Sequence, residues 1–230
     1  KTKKEDTTKC DLLLIASGRV PNVDGIGLEH VGVKFDHRHG VKVDDFLRTT
    51  NPDIFAVGDV CLAEKFTHMA GETGVMVCKN AVFGGQEKYS DRVIPWVTYT
   101  QPEIAHVGKY ERELKPGTFR TYTLGFAHND RCIAEGTREG FVRIHTGFDD
   151  DKILGATVVG DEAGEMISLY TLAMHAGIGA KKVSEIIAPY PTRSEMLKYT
   201  CNQFNIMTWG GWEGLKKSHT PIAEAHLRSE

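Results

Sequence analysis

Two short, uninterrupted apolar runs, each closed by a glycine turn, constrain this chain of 230 residues more than any other feature. Asp11-Leu-Leu-Leu-Ile-Ala16 ends at Ser17-Gly18, and Ile54-Phe-Ala-Val57 ends at Gly58-Asp59. An apolar run without polar alternation, bounded by turn residues, reads as a strand covered on both faces, the pattern of a parallel sheet. Between the two runs, Val31-Gly-Val-Lys-Phe35 and Val41-Lys-Val43 flank Asp36-His-Arg-His-Gly40, which predicts a hairpin. Beyond Asp59 the periodicity becomes helical, from Thr67 as the expected N-cap through Phe83, and Gly84-Gly85 stop it.

After Pro95 the character changes to alternating strands separated by charged or glycine turns. They are expected at Trp96–Thr100, Glu103–Gly108, Arg120–Phe126, Cys132–Gly136, Gly140–His145 and Ile153–Val159. Glu162–His175 predicts a long amphipathic helix, Lys181–Ile187 a shorter one and Ser194–Phe204 a last one. Pro189-Tyr-Pro-Thr192 is expected to run extended, because each proline keeps its predecessor out of the helical region. The expected organisation is an α/β segment over 1–92, an α+β segment over 93–207 and a tail over 208–230. No internal repeat is present.

Forty per cent apolar and 26% charged residues exclude disordered and fibrous classes. Twenty-eight basic against 31 acidic residues make a nucleic-acid or anionic-membrane partner unexpected, and no apolar run reaches the ~18 residues of a membrane span. The five cysteines (Cys10, Cys61, Cys78, Cys132, Cys201) are dispersed and odd in number. That pattern fits thiols in the cytoplasm or another reducing compartment better than a disulfide scaffold or a zinc module, and no metal set is expected. His37 and His39 could offer two ligands to a metal, but no third is in sight, so an exposed turn is the simpler reading.

Asp59 follows an expected parallel strand, where doubly wound sheets place their ligands. Its carboxylate can accept hydrogen bonds from sugar-like hydroxyls, while Gly58 permits close backbone approach. The competing reading is an aspartate that closes a loop. Lys65-Phe66-Thr67-His68 stands at an expected helix start, whose unpaired N–H groups carry about half a positive charge. An ordinary helix cap is compatible with that role.

Four segments in order resemble the pyridine nucleotide–disulfide oxidoreductases, the flavoprotein family of glutathione reductase, dihydrolipoamide dehydrogenase and mercuric reductase. They are Leu13-Leu-Ile-Ala-Ser-Gly-Arg-Val-Pro-Asn22, Thr49-Thr-Asn-Pro-Asp-Ile-Phe-Ala-Val-Gly-Asp-Val60, Val97-Thr-Tyr-Thr-Gln-Pro-Glu-Ile-Ala-His-Val-Gly108 and Tyr190-Pro-Thr-Arg-Ser-Glu195. The resemblance implies the C-terminal part of an FAD-binding domain followed by an interface domain, an antiparallel sheet with helices on one face. It implies that Asp59 holds the ribityl chain of FAD and that the helix start at Lys65–His68 faces the flavin pyrimidine edge. There it would stabilise the negative charge that grows on reduction. Gly18, beside Arg19, falls near the nicotinamide cleft, where Arg19 is expected to brace the loop.

Tyr190 and Glu195 stand where the family keeps a His–Glu acid–base pair, contributed to the active site of the other subunit. A phenol, with an ordinary pKa near 10, cannot shuttle protons at neutral pH as imidazole, near 6.5, can. Tyrosine here resembles the mercuric-reductase-like branch, although the Cys-Cys pair that ends its best-known members is missing and Cys201 is isolated. A plain connector with Thr192 as helix cap remains the alternative.

The family's GxGxxG turn, CxxxxC redox pair and NAD(P)-binding unit are not found in these 230 residues. The expectation is therefore a portion of an FAD- and NAD(P)H-dependent oxidoreductase, catalytically incomplete alone and binding FAD weakly or not at all. Its N-terminal FAD and NAD domains would lie in cis, and the interface domain would form a homodimer that buries the apolar face of Glu162–His175. Two alternatives stay open: a non-catalytic dimerisation module, and a dihydrolipoamide-dehydrogenase-like enzyme whose histidine base is replaced.

Overall fold

The computed structural model describes residues 7–210. The expected tail beyond residue 210 and the lysines of residues 1–6 lie outside the described residues. The chain divides into two compact units, Lys1–Asp91 and Arg92–Glu230, and no helix is long and apolar enough to cross a membrane among the described residues.

The first unit holds little regular structure. A two-residue hairpin pairs β1 (Phe35–Asp36) with β2 (Gly40–Val41) at the place the sequence indicates. Asp36 makes that turn: its Oδ1 accepts from the N–H groups of Arg38 and His39. Val23, Val33, Val41 and Ala56 form a small buried cluster with Leu28, Phe35, Ile54 and Val60 around it.

Neither apolar run becomes a parallel strand, which corrects the first expectation. Leu12 to Ile15 are not paired, and Leu12 is 86% exposed. A two-sided strand needs neighbours on both edges, and the described residues of this unit supply none. Ile54–Val57 instead folds back on its own approach. Phe55 bridges Arg48 antiparallel, Thr49 N–H donates to the Ile54 carbonyl at 2.9 Å, and Ala56 N–H donates to Leu47 O at 3.1 Å. The turn chemistry of Thr49 and Asn51 closes this local loop: Asp53 N–H donates to the Asn51 side chain at 3.0 Å, and Thr49 Oγ1 donates to Asn51 O at 2.9 Å.

Helix α1 (Thr67–Phe83) starts one residue earlier in register than expected: Phe66 is the N-cap, and no side chain caps it. Gly84, in the left-handed conformation, ends it as expected. Met69, Thr73 and Met76 are buried, whereas Val75, Val82 and Phe83 are exposed.

The second unit is a five-stranded antiparallel sheet in the order β3-β4-β7-β6-β5. The strands are β3 (Pro95–Thr98), β4 (Glu103–Gly108), β5 (Phe119–Gly125), β6 (Phe141–Gly147) and β7 (Ile153–Gly160). Alternation sends Ala105, Val107, Tyr122, Val142, Ile144, Ala156 and Val158 to one face. Helices α3 (Ala163–His175), α4 (Ala180–Ser184) and α5 (Glu195–Thr208) pack on that face, α3 over β4 and β7, α5 over β5 and β6. Tyr170 is fully buried, and its hydroxyl donates to Leu197 O at 2.8 Å, tying α3 to α5.

Three expectations are corrected here. Residues 132–136 are not a strand: α2 (Asp130–Glu135) occupies them, with Asn129 as N-cap accepting from Cys132 N–H and Gly136 as left-handed stop. The chain bends at Tyr190 and Pro191 rather than running extended, with Thr192 Oγ1 donating to Pro189 O at 2.7 Å; the Tyr190–Pro191 peptide is cis. The apolar face of α3 is not free for a partner subunit, because Met166, Ile167, Tyr170 and Ala173 are spent on the unit's own sheet.

The opposite sheet face carries two buried imidazoles. His106 Nε2–H donates to Gly108 O at 3.0 Å, and its Nδ1 accepts from Thr157 Oγ1 at 2.8 Å; its ring stacks on Tyr110 with centroids 3.7 Å apart. His145 Nδ1 meets Thr121 Oγ1 at 2.8 Å. Burial pushes both imidazoles below the ordinary histidine value. Such a group is neutral in the folded chain while the unfolded chain takes up a proton near pH 6.5. Stability is therefore complete above that pH and falls as the pH drops from about 6.5 toward the depressed folded values. Urea midpoints of the second unit should decline between about pH 7.5 and pH 5.5, and His106→Gln with His145→Gln should flatten that decline.

Candidate functional site

The site begins with the three residues Gly58–Val60, which form a single 3-10 turn. That turn is wedged between the hairpin and α1, and glycine is required on each side. A Cβ on Gly40 would stand 1.9 Å from the Val60 carbonyl oxygen. A Cβ on Gly58, which holds φ +69°, would stand 2.8 Å from the Ala70 side chain. The freedom of Gly58 is thus used for close helix packing on the side that faces Ala70. What the packing achieves is to set Asp59 beside the start of α1.

Three side chains lock that arrangement. Arg19 Nη1 donates to Asp59 Oδ2 at 2.7 Å and to Lys65 O at 3.1 Å. Lys65 Nζ donates back to Asp59 O at 2.9 Å and to Leu62 O at 2.7 Å. Glu64, the residue before Lys65, accepts from the Tyr89 hydroxyl at 2.5 Å, and burial together with that bond raises the Tyr89 phenol well above its ordinary value. Arg19 thus braces the loop, as expected, and it does so through the carboxylate itself. That carboxylate remains 39% exposed and Arg19 61% exposed. An exposed pair of this kind is worth only about 0–1 kcal/mol, so Asp59 stays open to competing hydroxyl donors.

At the helix start, Thr67 and His68 are exposed and the Phe66 and His68 rings stack in parallel, 5.2 Å apart. No side chain caps the start, so the polarised N–H end of a 17-residue helix stands close to a half-exposed carboxylate. This donor and acceptor set fits a ligand bearing hydroxyls at one end and an electron-rich heteroaromatic edge at the other. Gly18 is exposed with open space around it. Cys61, adjacent to the turn, is pushed up to about 11 by burial, which Lys65 only partly offsets. It is a protonated thiol and no nucleophile at neutral pH.

Tyr190 and Glu195 lie in the second unit, and they do not pair. The Tyr190 hydroxyl donates to Asp130 Oδ2 at 2.9 Å, and the residue is 70% exposed. Glu195 is buried and spends one oxygen on the Thr192 N–H at 3.1 Å and the other on the Tyr199 hydroxyl at 3.2 Å. The expected orientation of residue 190 by Glu195 is therefore corrected: the carboxylate one turn away is consumed by the backbone bend. Thr192 is likewise no helix cap, since its hydroxyl donates to Pro189 O within the bend. Asp130 is the residue that sequence reading missed. The signal was present: Asn129 as cap, an acidic first turn, Arg131 and Glu135 at i,i+4 and Gly136 as stop spell a helix.

Arg193 underlies the bend. Only 9% exposed, it pairs with Glu135, lies 3.3 Å from Glu162 and 3.6 Å from Asp161, and donates to Thr137 Oγ1 at 3.1 Å. Asn129 Nδ2 donates to Thr192 O at 3.0 Å from the other side. Among the described residues, no three His, Cys, Asp or Glu side chains gather as a metal set.

Two family models match the chain. "Pyridine nucleotide-disulphide oxidoreductase" covers residues 1–85, and "Pyridine nucleotide-disulphide oxidoreductase, dimerisation domain" covers residues 94–201. The mitochondrial dihydrolipoyl dehydrogenase of Caenorhabditis elegans is 37% identical over 201 residues, 86% of this chain and 40% of that protein. The dihydrolipoyl dehydrogenase of Cupriavidus necator is 36% identical over 202 residues, 86% of this chain and 42% of that protein. Among solved structures, LpdA from Mycobacterium tuberculosis superposes with a TM-score of 0.76 at 28% identity, over 80% of this chain and 41% of that one. The HOCl-induced flavoprotein disulfide reductase RclA of Escherichia coli gives a TM-score of 0.76 at 27% identity, over 84% of this chain and 45% of that one. The chain thus spans less than half the length of these relatives. Part of an FAD-binding domain followed by a dimerisation domain, matched in sequence and in fold, places the chain in the pyridine nucleotide–disulphide oxidoreductase family.

Proposed function

We propose that this chain is the C-terminal portion of an FAD- and NAD(P)H-dependent disulfide-type oxidoreductase, carrying half of the flavin site and the homodimerising domain. The observation that carries the reading is the turn at Gly58–Val60, held by Gly40 and Ala70 so that Asp59 stands beside the uncapped start of α1. FAD, when bound, supplies a two-electron carrier between reduced nicotinamide and a dithiol. Asp59 accepts from the ribityl hydroxyls in exchange for Arg19, and the N–H groups at Thr67 and His68 face the edge where negative charge grows. The exposed apolar residues Val75, Val82 and Phe83 on α1, with Leu12 to Ile15, offer a surface for the remainder of the FAD domain.

The finer assignment turns on Tyr190. Its phenol is held by a carboxylate and is raised above its ordinary value by that bond, so it stays protonated at neutral pH. This favours an acceptor that needs no proton shuttle from the strap, as in the mercuric-reductase-like reading, with Tyr190 lining the partner's substrate mouth. The dihydrolipoyl dehydrogenase relatives support a second reading, in which a dithiol substrate is handled by another base. In a polypeptide that includes the preceding domains, NADH or NADPH should bleach the bound flavin; absence of flavin, or flavin that neither nucleotide reduces, would contradict the reading. Tyr190→His in that polypeptide should raise lipoamide turnover under the first reading and lower it under the second.

A further inference from the structure

We infer that Asp130 is the positioning residue of Tyr190: the first residue of α2 holds the strap's phenol in place, a task the family pattern would give to Glu195. The inference rests on the reading of Tyr190 as a substrate-facing residue only for its consequence, not for its geometry. Three observations carry it. Tyr190 and Asp130 are 60 residues apart in sequence and meet at 2.9 Å, so their contact is a product of the fold and not of local turn chemistry. Glu195 does not hold the phenol: its oxygens accept from Thr192 N–H and from the Tyr199 hydroxyl, while the Tyr190 hydroxyl donates to Asp130. Asp130 is free to serve: no ion pair to it occurs among the described residues, and its neighbours Arg131 and Arg193 are both drawn to Glu135.

The arrangement divides two jobs between two carboxylates. Glu195 shapes the bend by taking a backbone N–H, and Asp130 sets the direction of the side chain that the bend presents. The charged and titratable groups facing Tyr190 are Asp130, Glu195 and Tyr199, with no cation among them. The phenol is consequently committed as a donor to Asp130, and the part of Tyr190 left for a substrate is its exposed ring. A substrate gripped there meets an aromatic face and edge, not a mobile proton. The same geometry predicts that an imidazole introduced by Tyr190→His would pair with Asp130 and gain a carboxylate partner without Glu195.

The test uses the 230-residue chain with 13Cζ-labelled tyrosine, the Tyr190 resonance being identified by its loss in Tyr190→Phe. Tyr190 should titrate above the ordinary tyrosine value of about 10, and Asp130→Asn should lower its midpoint. Glu195→Ala should move that midpoint less while removing hydrogen-exchange protection from the Thr192 amide, which Asp130→Asn should leave in place. This double dissociation needs no flavin and no activity, so its outcome is separable from that of the functional reading. An unmoved midpoint in Asp130→Asn, or a larger shift in Glu195→Ala, overturns the inference. If Asp130→Asn loses α2, seen as lost protection over residues 133–136, the Tyr190→His imidazole decides: titration at or below the ordinary histidine value of about 6.5 overturns it, and titration above supports it.

Discussion

Gly58→Ala is expected to destabilise the first unit by about 2–4 kcal/mol, the sum of a left-handed backbone for a non-glycine residue and an overpacked contact. The contact is with α1: the added carbon falls 2.8 Å from Ala70 Cβ and 3.2 Å from Ala70 Cα, the second a backbone atom that cannot step aside alone. Gly71→Ala, one position further along the same helix, is the control. Nothing lies within 4 Å of its added carbon, and alanine in a helix interior should gain about 0.5–1 kcal/mol. Hydrogen exchange of the α1 amides separates the two, with protection falling in the first variant and holding or rising in the second. Equal behaviour of the two would show that the turn does not bear on the helix.

Arg193→Met carries the second large effect. The guanidinium is nearly buried and stands among Glu135, Asp161 and Glu162, so its removal leaves these carboxylates with Arg131, on Glu135, as the one cation paired to them among the described residues. The cation is buried but its carboxylates are partly exposed, Glu162 by 66%, so its removal costs less than breaking a fully buried pair, about 1–3 kcal/mol. Methionine keeps most of the volume, which confines the effect to charge. Adding Glu135→Gln should recover part of the loss, because it withdraws one of the clustered negative charges, and the coupling in that double-mutant cycle should exceed about 0.5 kcal/mol. Urea midpoints of the four chains in the cycle check it; strictly additive losses would contradict the cluster.

The second unit was largely legible in sequence because each of its strands pairs with a strand inside the same 139-residue stretch. Alternation in Glu103–Gly108 and Ile153–Gly160 meant one apolar face, and α3 covers it. The exception, residues 130–135, misled because Cys132, Ile133 and Ala134 look like a strand when the cap at Asn129 and the stop at Gly136 are not weighed first. The first unit failed at Leu12–Ile15 for a different physical reason. Those residues carry the pattern of a strand whose stability resides in neighbours, and pattern without neighbours leaves the run exposed.

The candidate site was half legible. Asp59 and the helix start could be named from their motif, yet the closeness between them depends on Gly40 meeting Val60 and on Gly58 meeting Ala70, contacts between segments far apart in sequence. The helix that carries Asp130 was legible, but its contact with Tyr190, 60 residues away, was not, for the same reason. Glu195 was assigned to residue 190 by resemblance to the family, and the bend at Thr192 takes one of its oxygens.

The central claim is that Asp59 and the start of α1 grip one half of a flavin. FAD content per chain, measured by flavin absorbance in a polypeptide that includes the preceding domains, tests it most directly when the unaltered protein is set beside Asp59→Ala. The account predicts close to one FAD per chain in the unaltered protein and at least tenfold weaker retention in the variant, about 1.4 kcal/mol. Undiminished FAD in Asp59→Ala, or stoichiometric FAD in the 230-residue chain alone, would contradict it.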